Sequence, residues 1–227
     1  YENESEVGDA VEAASIDQED LFVATKIAHF EEPETTPDYV RTAVSESRER
    51  LGVESLDLLY HHWPRSVEDI DTVLPVFENL YGEGVVDRIG VSNYRIADIE
   101  RAEELIDVPL TANQVEVHPL LQQNELYEFC CERDITVVAY APLAQGNVFD
   151  VPQIVDIADK HDATPALVSL GWLLSRDGVA AIPRSGSSAH IEENLHALAL
   201  ELDKEDLERI DAVEETHRCE DPEWMEW

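Results

Sequence analysis

The chain carries three lysines in 227 residues, and one of them, Lys26, lies in the apolar run Leu-Phe-Val-Ala-Thr-Lys-Ile at 21–27. An ammonium group among apolar neighbours loses hydration that only a partner or a chemical task offsets. A second apolar run ends in the polar cluster Tyr60-His61-His62-Trp63-Pro64, and the chain opens on Tyr1. Tyrosine, amine and imidazole together make a proton-donating set. A phenol with an ordinary pKa near ~10 is a reluctant acid at neutral pH, and a neighbouring ammonium corrects this by stabilising the phenolate. Such a set serves a carbonyl group, whose carbon accepts hydride readily only when its oxygen is protonated or held by donors. Each residue also has a plainer reading. Lys26 can cap a strand and reach water through its stem. His61 and His62 point to opposite faces of a strand, so at most one enters a site and a metal centre built on both is disfavoured. Tyr1 alone, as a terminal residue, carries no weight.

The elements that must position these groups follow from hydrophobic periodicity. Strands are predicted near 21–27, 56–62, 86–91, 112–117, 135–140 and 179–183. Helices follow them at 38–51, 67–82, 95–106, 123–133, 151–175 (broken near 162–164) and 188–198, with an acidic helix near 203–215 and a tail holding Trp224 and Trp227. Strand and helix in alternation imply a parallel sheet with right-handed crossovers, and strands this apolar are buried on both faces. Between an open doubly wound sheet and a closed (β/α)8 barrel, the polar groups at the C-terminal ends of so many strands favour the barrel. No Gly-x-Gly-x-x-Gly follows any strand, so a Rossmann dinucleotide site is excluded.

Composition narrows the function classes. With 51 acidic against 15 basic residues the formal net charge is −36, which disfavours nucleic-acid phosphates and anionic membranes as partners. The acidic residues fall on predicted helix surfaces, a coat suited to a high-salt cytoplasm and a halophilic source. Cys130, Cys131 and Cys219 lack metal-ligand spacing and read as reduced, cytoplasmic thiols. No boundary is evident along the chain, which reads as a single domain over 1–227 with a C-terminal helix and tail at 203–227.

Seven segments in register carry a family resemblance: Tyr1-x-Asn3-Glu4-x-x-Val7-Gly8, Thr25-Lys26, Leu56-Asp57-Leu58…His62-Trp63-Pro64, Gly90-Val91-Ser92-Asn93-Tyr94, Asn113-Gln114-Val115-Glu116-Val117-His118-Pro119, Tyr140-Ala141-Pro142-Leu143 and Ile182-Pro183-Arg184-Ser185. The chain resembles the aldo-keto reductases over nearly its whole length. The resemblance implies a (β/α)8 barrel, metal-free, that reduces aldehydes and ketones with NADPH or NADH. It implies Tyr1 as general acid, Lys26 as the modulator of its pKa and His62 as the substrate orienter. Ser92, Asn93 and Gln114 match the residues that hold the nicotinamide carboxamide, and Tyr140, with Leu143 in the same segment, the ring on which nicotinamide stacks. Arg184, Ser185, Ser187, His190, Glu193 and Asn194 match the loop and helix start at the adenosine end, where donors favour phosphate. Trp63 and Tyr94 are expected to wall the substrate pocket. Arg184 stands where lysine is usual, and His190 where an arginine often meets the 2′-phosphate.

The tetrad aspartate of the family falls about five residues before its tyrosine, and this chain begins at the tyrosine. The reading expected on that ground is a fragment or a record lacking its beginning, with the first strand, first helix and second strand missing. Full length, the expected molecule is a cytoplasmic monomer acting on a small carbonyl substrate. Two other classes compete: a non-catalytic nucleotide-binding barrel or regulatory subunit, and a barrel isomerase or aldolase using Lys26 as a Schiff-base nucleophile.

Overall fold

The computed structural model describes residues 3–17, 20–27, 35–225 and 227. Its packing divides at the middle of a strand into two compact units, residues 1–113 and 114–227.

The first unit contains α1 (Glu4–Ala13), β1 (Ala24–Ile27), α2 (Pro37–Leu51), β2 (Leu58–His61), α3 (Val67–Gly82), β3 (Ile89–Ser92), α4 (Ile96–Leu105) and the start of β4 (Leu110–Glu116). The strands are parallel, with Lys26 opposite Tyr60, Ile27 opposite His61, and His61 opposite Val91. Every residue of β2 and β3 is buried, as two-sided covering by helices requires. Local chemistry sets the helix ends. Thr36 caps α2 by accepting the Tyr39 N–H, Pro37 occupies the first turn, and Gly52 ends the helix at φ 68°, a left-handed conformation that costs glycine nothing. Ser66 caps α3 in the same manner.

Helix α1 was not among the predicted elements. Its sequence, Glu-Ser-Glu-Val-Gly-Asp-Ala-Val-Glu-Ala, offers Val7 and Val11 as its larger apolar residues and a glycine in its interior. That glycine is the reason it packs. A Cβ on Gly8 would lie 2.5 Å from the Arg50 carbonyl oxygen, so its absence lets α1 approach the end of α2 backbone to backbone. Glu4 completes the contact by accepting hydrogen bonds from Arg50 Nε, at 2.8 Å, and from Thr25.

In the second unit the rest of β4 is followed by α5 (Asn124–Cys131), β5 (Thr136–Tyr140), a 3₁₀ segment (Ala144–Asp150), α6 (Pro152–Lys160), α7 (Pro165–Leu174), β6 (Val179–Ala181), α8 (Ser188–Leu195), a 3₁₀ turn (His196–Ala199) and α9 (Lys204–Asp211). Strands β5 and β6 are parallel. The long helix expected over 151–175 is two helices, broken at the anticipated place. Asp162 is left-handed at φ 51°, Thr164 caps α7 and Pro165 opens it. Helix α9 docks through a buried carboxylate, Asp206, which accepts from Lys160 Nζ at 2.7 Å and pairs with His161 Nε2 at 2.6 Å. The burial that would raise the Asp206 pKa is outweighed by these partners, and the group is held below its ordinary value.

Among the described residues no helix is long and apolar enough to cross a membrane.

Candidate active site

In the first unit the C-terminal ends of β1, β2 and β3 bring the sequence-predicted groups together. The His62 N–H donates to the Ile27 carbonyl at 3.0 Å, which extends the β1–β2 ladder by one rung past Lys26. Asn93 then donates through Nδ2 to the His62 carbonyl at 3.1 Å and to Ser92 Oγ at 3.2 Å. Ser92 and Asn93 are buried, and Asn93 stands at φ 61°. A non-glycine residue in that region is a strained choice that surrounding contacts must hold.

The electrostatics of this edge favour uncharged imidazole. His62 is half-buried, and loss of water, followed by repulsion from Lys26, brings its pKa down to about 4. It is therefore neutral at pH 7 and can donate or accept a hydrogen bond. Burial also lowers the Lys26 pKa from the usual lysine value. Its ammonium lies 5.7 Å from the centre of the Tyr60 ring, whose face attracts a cation.

Strand alternation separates the two adjacent histidines as expected. His61 is fully buried and its Nδ1 pairs with the Tyr94 hydroxyl at 2.7 Å. This overturns the expectation that Tyr94 walls a substrate pocket. Its side chain is wholly enclosed, and burial drives its phenol pKa well above the ordinary value. Trp63, by contrast, is half-exposed with its ring centre 6.2 Å from that of His62. Tyr1 lies outside the described residues.

Asn113 is a residue whose role went unread. Fully buried at the boundary of the unit, its amide donates to the Tyr94 carbonyl at 2.9 Å and its Oδ1 accepts the Tyr94 N–H at 3.4 Å. It thereby fixes the turn that presents Asn93. The available signal was a carboxamide inside an apolar strand, the same signal that singled out Lys26.

The second unit holds the remaining candidates. Gln114 is buried and Tyr140 half-buried. After Tyr140 the chain passes through left-handed conformations at Ala141 (φ 46°), Ala144 (φ 46°) and Gln145 (φ 52°), with Leu143 half-buried between them. Three such non-glycine residues in five positions mark a loop held in a demanding shape.

Further along, Ser185 Oγ accepts the Ser187 N–H at 3.1 Å, forming a turn at the start of α8. No side chain caps that helix, and Arg184 and His190 are exposed beside it. An open helix N-terminus with a permanent cation alongside fits an anionic group. Glu193 accepts from Thr164 Oγ1 at 3.1 Å, and Asn194 is half-buried on the same helix.

A family profile described as "Aldo/keto reductase family" matches residues 1–215. A glyoxal reductase of Bacillus subtilis (strain 168) is 36% identical, over 96% of this chain and 77% of its own. An aldo-keto reductase enzyme from a Medee basin deep-sea metagenome library superposes with a TM-score of 0.86 at 32% identity, covering 92% of this chain and 76% of that one. A Gox0644 mutant, solved in complex with NADPH, does so with a TM-score of 0.84 at 33% identity, covering 93% of this chain and 75% of that one. The expected fold class, the (β/α)8 barrel, holds. These matches take in 92% to 96% of this chain and 75% to 77% of the proteins matched.

Proposed function

The chain belongs to the aldo/keto reductase family and is an NAD(P)H-dependent oxidoreductase; from that premise we propose that it reduces small aldehydes and ketones with NADPH, using Tyr1, Lys26 and His62 as its proton-delivering set. The observation that carries this reading is the pairing of a half-buried amine with a neutral imidazole at the ends of adjacent parallel strands. Aldehyde-bearing dicarbonyls are the first substrates to try, because the matched relative of Bacillus subtilis is a glyoxal reductase.

The reduced nicotinamide, when bound, supplies hydride to the carbonyl carbon. Residues of this chain do the rest. His62, uncharged at neutral pH, orients the carbonyl oxygen by a hydrogen bond without adding a competing positive charge. Tyr1 gives its phenolic proton to that oxygen as alkoxide character develops, and the phenolate regains a proton from solvent. Lys26 eases this transfer by lowering the cost of the phenolate. Ser92, Asn93 and Gln114 hold the nicotinamide carboxamide, Tyr140 and Leu143 support the ring, and Trp63 contributes to the substrate pocket. Arg184, Ser185, Ser187, His190, Glu193 and Asn194 receive the adenosine end. The exposed Arg184 guanidinium and the uncapped start of α8 support a preference for the 2′-phosphate. The family match runs through both units, which supports treating 1–227 as one catalytic domain. The acidic composition supports a halophilic, cytoplasmic setting.

Steady-state reduction of methylglyoxal tests the site. Lys26→Met and His62→Gln should each lower kcat by about 100-fold or more, the usual range for positioned acid–base groups, while NADPH binding, followed by fluorescence, stays within about threefold. A variant that keeps more than a tenth of parental kcat removes its residue from the role. Arg184→Ala should erase the preference for NADPH over NADH in kcat/KM; an untouched preference would mean that other residues hold the adenosine end.

A further inference from the structure

The end of β4 carries a second cluster of chemically capable side chains. Glu116 closes the strand, His118 follows two residues later, and the tail brings Cys219 to them. A carboxylate oxygen of Glu116, a ring nitrogen of His118 and Cys219 Sγ all lie within 4.8 Å of one another. Glu116 and His118 are buried to 1% and 0% exposure, whereas Cys219 is half-exposed and leaves a path from solvent.

The hydrogen bonds hold this set in place. Glu116 accepts the backbone N–H of Cys219 at 2.6 Å and that of Glu220 at 2.9 Å, so the carboxylate and the thiol share one anchored turn. His118 Nε2, the ring nitrogen that faces the carboxylate, lies 2.9 Å from Glu116 Oε1. Among the described residues nothing hydrogen-bonds to the other ring nitrogen, Nδ1. A buried imidazole whose Nε2 faces a carboxylate beside a thiol, and which can carry its proton on Nδ1 so that Nε2 offers a lone pair, has the composition of a mixed nitrogen, oxygen and sulfur ligand set.

We propose that Glu116, His118 and Cys219 bind a borderline-soft divalent cation of the zinc class, which fastens the tail to the end of β4. Thiolate and imidazole select such an ion over magnesium or calcium, which take oxygen ligands. Three protein ligands leave the fourth tetrahedral position to water. Ligand bonds of about 2.0–2.3 Å place donor atoms roughly 3.3–3.8 Å apart, so side-chain rotations close the set without moving the strand. In the metal-free chain burial and the Glu116 carboxylate push the Cys219 thiol up to about 12. The ion must displace that proton, and one proton passes to solvent as the sulfur–metal bond forms.

The test uses the whole chain, reduced and freed of metal by chelator. Titration with Co²⁺ should produce a thiolate-to-cobalt charge-transfer band that saturates at one ion per chain, and micromolar Zn²⁺ should raise Tm where the same concentration of Mg²⁺ does not. Cys219→Ser should abolish the band and the Tm rise, whereas Cys131→Ser, at an exposed thiol, should leave both. Zinc should also block alkylation of Cys219 by iodoacetamide in the unmutated chain, read by peptide mass mapping. Absence of the band in the parent, its survival in Cys219→Ser, or undiminished alkylation of Cys219 in zinc would each overturn the proposal.

Discussion

His62 stores a pH-dependent contribution to stability. In the unfolded chain its imidazole takes up a proton near 6.5, but the folded chain delays this until about 4. Between those values the unfolded state binds more protons, so stability rises with pH across that window and is fully present above 6.5. Urea midpoints measured from pH 4.5 to 7 should show this rise, and His62→Gln should flatten it. An unchanged slope in the variant would assign the dependence to other groups. In the proposed reaction the same low pKa keeps the imidazole neutral at pH 7, free to hydrogen-bond the carbonyl oxygen. That two adjacent histidines serve such different ends was legible in the period-two geometry of a strand. The enclosure of Tyr94 was not, because it depends on Asn113 and His61 reaching it from 19 and 33 positions away.

At the scale of elements, close backbone approach decides more than propensity. Gly8→Ala would set a methyl group against the Arg50 carbonyl and the Leu51 backbone, and should cost about 1–3 kcal/mol as overpacking, measured by chemical denaturation. A neutral result would show that α1 can withdraw from α2 without loss. Helix α1 escaped sequence reading for the converse reason, since it has little apolar stripe and its order comes from contacts with α2 and β1. The break between α6 and α7 was legible because its signals, Asp162, Thr164 and Pro165, are local. The clamp on the tail was not, since Glu116 and the amides of Cys219 and Glu220 lie more than a hundred residues apart. Burial works against ionisation of Glu116, but His118 and those two amides outweigh it and hold its pKa below the ordinary 4.5. The stabilisation is thus present above that value and fades as the pH falls through the lowered one. Glu116→Gln should cost about 1–3 kcal/mol and speed hydrogen exchange at the Cys219 and Glu220 amides. Unaltered exchange there would mean that the tail is held by other contacts.

The whole molecule carries a charge of −36, and its described ion pairs are mostly at the surface, as in Arg41–Glu83 and Arg101–Asp71. Exposed pairs of this kind contribute about 0–1 kcal/mol each, far from enough to offset the mutual repulsion of 51 carboxylates against 15 cations. In the proposed halophilic setting, salt supplies the screening. The Debye length shrinks from ~10 Å at 0.1 M to ~3 Å at 1 M, so the thermal midpoint should climb between 0.1 and 2 M KCl. A flat or falling midpoint would show that the carboxylates are spaced widely enough to tolerate one another. The charge itself was legible from composition; which carboxylates are internal, such as Asp206 and Glu116, was not.

The lysine inventory has a practical consequence for chemical labelling. Lys160 is doubly bound by Asp203 and Asp206, which raise its pKa, and Lys204 is paired with Glu208 at 3.3 Å. Burial instead lowers the Lys26 pKa, so at mildly alkaline pH it presents a larger fraction of nucleophilic amine than Lys160 does. A small acylating ester should modify Lys26 ahead of Lys160, giving a reporter of the site without engineering. If NADPH and substrate analogue together slow that acylation, the amine lies where the proposed chemistry needs it; peptide mapping that finds Lys160 modified first would show that access, rather than proton affinity, governs these two amines.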